Sequence, residues 1–115
     1  MKLNIIELIV LELQVDKKKV RYVEHHQSHA ASAFYNSNYS NATILTIDGV
    51  GEEETLTLSV GKKNNIEKIK KFKFPYSLGL FYSTITSFLG FEINEGEYKV
   101  MGLAAYGKPI YRKKV

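Results

Sequence analysis

Cysteine is absent from this 115-residue chain. That excludes a disulfide framework, a thiolate nucleophile and a zinc–thiolate site. Any metal must rest on imidazole and carboxylate, donors that suit zinc or non-haem iron better than copper(I). Arginine is scarce too: Arg21 and Arg112 are the only two, so the net charge of +4 is lysine charge, gathered at 17–19, 62–63, 113–114 and within 68–73. Nucleic-acid binders usually join a basic stripe to arginine forks and exposed aromatics. These lysines read instead as solvated turns and strand faces, and no nucleic-acid partner is expected. No long apolar run is present either. Residues 3–13 are too few to span a bilayer, carry Glu7 and Glu12, and lack the small-residue cleavage site of a signal peptide. No membrane partner is expected, and the default compartment is cytoplasmic. Apolar content of 44% and charged content of 24% are near the globular average, which argues against disorder.

What the chain does have is His25-His26-Gln27-Ser28-His29, its only three histidines, within five consecutive residues. On a helix, His25 and His29 stand one turn apart on one face, where two neutral imidazoles can clasp a divalent metal. A bare pair at this spacing also arises as two surface histidines, and two ligands do not complete a catalytic site. His26 points about a quarter-turn away and is a candidate for substrate contact rather than a co-ligand.

The pattern along the chain predicts a deeply buried helix over 3–13, a short strand over 20–24 and a helix from His25 to about Tyr35. A loop over 36–41 follows. Three strands are then expected, over 43–47, 54–60 and 66–74, with Pro75 stopping the sheet. Ser77 should N-cap a helix ended by Gly90, with Leu78, Phe81, Ile85, Phe88 and Leu89 as its apolar face and Tyr76 in the core. One helical turn is expected near 98–104.

Two further segments invite chemistry. Asp48-Gly49-Val50-Gly51-Glu52 follows an apolar strand, and its glycines permit a backbone whose N–H groups converge on phosphate; an Asp-Gly hairpin turn explains it equally. Asn94-Glu95-Gly96-Glu97-Tyr98-Lys99 gathers carboxylates, an amide and a lysine around a glycine, as a nucleotide or sugar site would, or as a charged surface loop does. Gly107, before Lys108-Pro109, could admit a ligand or follow a helix C-cap.

In order, HHQSHAASAF, ILTIDGVGE, FPYSLGLFYS and GEYKVMGLAAYGKP resemble the carbamoyltransferase family that includes nodulation-factor and antibiotic O-carbamoyltransferases; the likeness runs over residues 20–109. More distantly they look like the tRNA threonylcarbamoyl-transferase proteins. The resemblance implies an α/β, ribonuclease-H-like fold of the actin, hexokinase and Hsp70 type, two lobes around a nucleotide cleft. It implies iron or zinc on His25 and His29, phosphate contacts from Asp48, Gly49, Val50, Gly51 and Glu52, and Gly96, Glu97 and Lys99 on the nucleotide side, with Gly107 beyond them. The implied reaction moves a carbamoyl group from carbamoyl phosphate, through an ATP-derived carbamoyl-adenylate, to a small hydroxyl-bearing acceptor. A third, aspartate ligand is implied past the end of this chain. On this reading residues 1–38 end a first lobe and 39–115 begin a second. The chain would then be a catalytic-domain fragment without turnover of its own. The alternatives are a subunit that docks with the missing remainder of the enzyme, or a small metal-binding protein.

Overall fold

A computed structural model describes residues 4–114. The expected helix start at residue 3, the residues before it and residue 115 lie outside the described residues. The elements run α1 (Ile5–Leu13), a 3-10 turn (Lys17–Lys19), α2 (His25–Phe34), β1 (Asn41–Gly51), β2 (Glu54–Lys62), β3 (Asn65–Lys73), α3 (Leu78–Phe88) and α4 (Glu97–Ala104). The strands form one antiparallel sheet in the order β1-β2-β3.

This architecture overturns the expected ribonuclease-H-like lobes. Among the described residues there is one three-stranded meander with four helices, not two lobes around a cleft. The reason is local. Each strand is joined to the next by a tight hairpin, at Gly51↔Glu54 and Lys62↔Asn65, and hairpins build only antiparallel neighbours. The strand expected over 20–24 does not form: that segment is extended but unpaired.

The sheet has two unlike faces. Under α2 lie Ile44, Thr46, Thr57, Ser59 and Gly61, all buried. Helix α2 presents His26, Ala30 and Phe34 to them, spaced four apart along one face. Its alanines let it sit close, and Gly61 gives Phe34 its place: a Cβ there would fall 2.6 Å from the ring. Ala30, Phe34 and Ile44 form the buried apolar cluster, with Ala42 and Ile66 packed against it. The opposite face carries Leu45 and Ile47 in the open.

Helix α3 starts as expected, with Ser77 Oγ accepting from the Leu80 N–H at 3.0 Å, and Gly90 follows its end with φ +84°. The expected burial does not hold. Leu78, Phe81, Ile85, Phe88 and Leu89 are all exposed, Tyr76 is 77% exposed, and α1 buries no residue. Amphipathic periodicity marks a face that wants cover, but it does not supply the cover. The radius of gyration is 18.5 Å, against about 13 Å for a compact chain of this length.

On the sheet's polar side Glu54 is nearly buried and meets Lys68 at 2.7 Å and Lys71 at 3.0 Å; Lys68 also reaches Glu24 at 2.9 Å. Burial alone would push the Glu54 carboxyl up, but the hydrogen bonds from Lys68 and Lys71 outweigh it and hold the group below its ordinary 4.5. A carboxyl depressed in the folded state stabilises above its unfolded value and loses that contribution as pH falls through the folded one. Urea melts of the wild-type chain should therefore lose stability in acid below the ordinary glutamate range. Glu54→Gln should blunt that loss and cost about 1–3 kcal/mol at neutral pH. An unchanged neutral-pH midpoint would contradict the assignment.

Candidate metal centre

Helix α2 sets two kinds of histidine side by side. His26 turns into the sheet and is 1% exposed. Its Nε2 lies 2.8 Å from the Glu54 carbonyl and its Nδ1 2.7 Å from Thr46 Oγ1, which is 2.6 Å from Thr57 Oγ1. A carbonyl only accepts, so Nε2 carries the proton. In the neutral ring Nδ1 then accepts from the Thr46 hydroxyl, and Thr46 accepts from Thr57. Both ring nitrogens of His26 and the hydroxyls of Thr46 and Thr57 are thus hydrogen-bonded. The substrate contact expected of His26 has no opening here, because the ring is enclosed and both nitrogens are taken.

His25 and His29 face the other way, toward the far end of β1. Their Nε2 atoms are 3.0 Å apart, and His29 Nε2 is 3.5 Å from Asp48 Oδ2. His25 Nε2 hydrogen-bonds the same Asp48 oxygen. The three donor atoms lie within 4.8 Å of one another. Gly51 makes the arrangement possible: a Cβ there would sit 2.3 Å from His25 Cδ2. The His25 hydrogen bond, opposed by partial burial and aided by the Gly49 N–H at 2.7 Å, holds the Asp48 carboxyl below its ordinary value.

Donor chemistry and two of the three spacings fit a divalent cation. Ligand atoms about 2.1 Å from one ion, at tetrahedral to octahedral angles, lie about 3.0–3.4 Å from each other, and two of these separations are 3.0 and 3.5 Å. Asp48 belongs to this cluster as well as to the glycine-bearing segment expected to meet phosphate. Spacing could not reveal that, because it stands 23 residues from His25. The available signal was a lone carboxylate at the end of an apolar strand.

The Asp48–Glu52 segment is less of a turn than expected. Strand β1 runs on through Gly51 with a register shift between Ile47 and Gly51, and the loop itself is Glu52-Glu53. Asp48 and Gly49 share a cleft of about 370 Å³ with Ser83, Asn94 and Glu97. Glu97 accepts from the Ser83 hydroxyl at 2.8 Å and the Asn94 N–H at 3.1 Å, which lowers its pKa. Gly96 N-caps α4, while Lys99 and Gly107 fall outside that cleft. Val50 is exposed. Glu52 lies on the other side of the cluster, where it accepts a hydrogen bond from Tyr22 and lines a second cleft of about 450 Å³ with His25, Ser28 and His29. The histidine–aspartate cluster thus separates two openings, one lined by Gly49, expected to meet phosphate, and by Glu97, expected on the nucleotide side. Among the described residues no helix is long and apolar enough to cross a membrane.

The family model described as the carbamoyltransferase N-terminus matches residues 1–113. The chain is 50% identical over 96 residues to the uncharacterized protein sll1178 of Synechocystis, covering 84% of this chain and 16% of that one. It is 43% identical over 96 residues to the nodulation protein NolNO of Sinorhizobium fredii, covering 84% and 14%. It is 40% identical over 87 residues to the nodulation protein NolO of Bradyrhizobium diazoefficiens, covering 76% and 16%. The chain therefore spans about one sixth of the length of these curated relatives.

The two kinds of histidine should separate in a stability assay. His26→Ala strands the Thr46 hydroxyl and the Glu54 carbonyl, and should cost about 1–3 kcal/mol or more. His29→Ala, at a side chain 55% exposed, should stay within about 0.5 kcal/mol of wild type. Equal losses in chemical denaturation would refute the division of roles.

Proposed function

Because this chain belongs to the carbamoyltransferase N-terminal family, we propose that it contributes a divalent-metal site to carbamoyl transfer, with His25, His29 and Asp48 as its ligands. The observation that carries this is the convergence of two imidazoles and one carboxylate from distant segments. They meet where the start of α2 faces the end of β1, between two clefts.

Zinc or iron bound there would act as a Lewis acid on the carbamoyl carbonyl. The chain's own residues line the two sides of that site. Asp48 and Gly49 border the cleft proposed for the nucleotide, and Ser83 and the Asn94 N–H fix the Glu97 carboxylate on its far wall. Tyr22 fixes Glu52 on the opposite side. The proposed donor is carbamoyl phosphate, passing through a carbamoyl-adenylate made with ATP, and the proposed acceptor is a small hydroxyl-bearing molecule. The proposed compartment is the cytoplasm.

The chain alone should not turn over. Both clefts are shallow and open to water, and among the described residues none opposes the cluster to enclose a reacting group. Catalysis by transition-state stabilisation needs donors fixed on more than one side.

Calorimetric titration of the purified chain with zinc, and with iron(II) under anaerobic conditions, tests the ligand set. His25→Ala, His29→Ala and Asp48→Asn should each weaken binding by about 100-fold or more, and Gly51→Ala, which displaces the His25 ring without removing a ligand, by about 10–100-fold. Wild-type affinity in Asp48→Asn would overturn the three-ligand reading. Carbamoylation of a hydroxyl acceptor by the 115-residue chain alone, given carbamoyl phosphate and ATP, would overturn the incompleteness.

A further inference from the structure

We propose, resting on the three-ligand reading, that Ser77 and Gly79 at the start of α3 are positioning residues for Asp48. They hold the Asp48–Gly49 peptide so that the carboxylate faces His25 and His29.

Asp48 needs a hold of its own. The β1–β2 register is continuous from Asn41↔Lys62 to Ile47↔Leu56 and resumes at Gly51↔Glu54. Asp48, Gly49 and Val50 therefore stand opposite Thr55 alone and have no register partner. A bulge of this kind re-aims a side chain, but the extra residues lose the ladder that would fix it. His25 and His29 lie on a helix whose rotation is set by buried His26. The ladder does no such thing for Asp48.

Helix α3 supplies the hold. Ser77 Oγ donates to the Gly49 carbonyl at 2.6 Å, with the Asp48 carbonyl also in reach at 3.2 Å. The same oxygen accepts from the Leu80 N–H, so one hydroxyl caps the helix and ties it to the bulge. Gly79 lets the two backbones meet. A Cβ there would fall 2.5 Å from the Asp48 carbonyl oxygen and 2.6 Å from the Gly49 nitrogen. The Gly49 N–H of that peptide donates to Asp48 Oδ1 at 2.7 Å, which leaves Oδ2 to the two imidazoles. A shift of the peptide therefore carries the carboxylate with it. The approach to α3 is anchored as well. The hydroxyl of Thr55, fully buried opposite the bulge, donates to the Tyr76 carbonyl.

A helix cap alone would also place Ser77 Oγ beside the Leu80 N–H, so the variants must part the two duties. Ser77→Asp keeps an acceptor for that N–H, and aspartate caps as well as serine, but it brings no proton to the Gly49 carbonyl. Gly79→Ala leaves the cap in place and drives a methyl group into the Asp48 peptide. Ser77→Thr keeps both acceptor and proton, on an extended backbone (φ −136°, ψ 123°) that suits a β-branched residue.

The test reads zinc titration of the full 115-residue chain beside hydrogen exchange of the metal-free chain. Ser77→Asp and Gly79→Ala should each weaken zinc binding by about tenfold or more, and Ser77→Thr should stay within about threefold of wild type. Without metal, the Gly49 amide reports the Asp48 carboxylate it bonds. It should exchange at least about fivefold faster in Ser77→Asp and Gly79→Ala, with the α2 amides of Ala30 and Phe34 unchanged. Wild-type zinc affinity in both variants overturns the proposal. So does wild-type Gly49 exchange in both, whether or not zinc binds, or an equal quickening at Ala30 and Phe34, which would mean a loosened fold. A wild-type chain that binds no zinc would instead defeat the three-ligand reading, and Gly49 exchange would then decide the hold on Asp48.

Discussion

The ring of His26 is the fastening on which the rest of the structure depends. It bridges the Glu54 carbonyl on one strand and the Thr46 hydroxyl on another, and Thr57 completes the line. Polar groups under a helix are costly unless all are paired, and among the described residues no buried side-chain polar atom lacks a partner. This network fixes the rotation of α2 about its axis. With His26 facing inward, His25 and His29 must face the end of β1, where Asp48 waits. The polar core therefore aims the cluster. A purely apolar helix face could bind as tightly, but it would tolerate rotation and slippage that would scatter the three side chains.

The cluster is built on firm elements, while much of the surrounding chain is not enclosed. One side of the sheet is roofed by α2; the other leaves Leu45 and Ile47 in water together with the apolar stripe of α3. Exposed apolar faces of this extent mark surfaces meant for cover. The histidine–aspartate cluster and the clefts on either side of it are assembled here, while the apolar faces around them stay uncovered.

Periodicity and capping were legible because they are local. The helix from His25 to Phe34, the meander of three strands and the Ser77 cap all followed from residue pattern and turn chemistry. The extended segment before His25 was not legible as unpaired, because a strand needs a neighbour and no local pattern reports one. The same limit explains α1, whose apolar stripe reads as a buried face although none of its residues is buried. Family motifs led toward ribonuclease-H-like lobes, but the described residues hold only the hairpin-linked meander.

By itself the sequence determined that any metal here must be held by imidazole and carboxylate, since it has no cysteine, and that His25 and His29 share a helix face. Those conclusions need only composition and the helical repeat. Two others came from the tertiary structure alone. Of the adjacent histidines, His26 is the structural one, because only packing decides which side of a helix meets the sheet. Asp48 joins the pair because the end of β1 is brought beside the start of α2, a closeness that no spacing along the chain encodes.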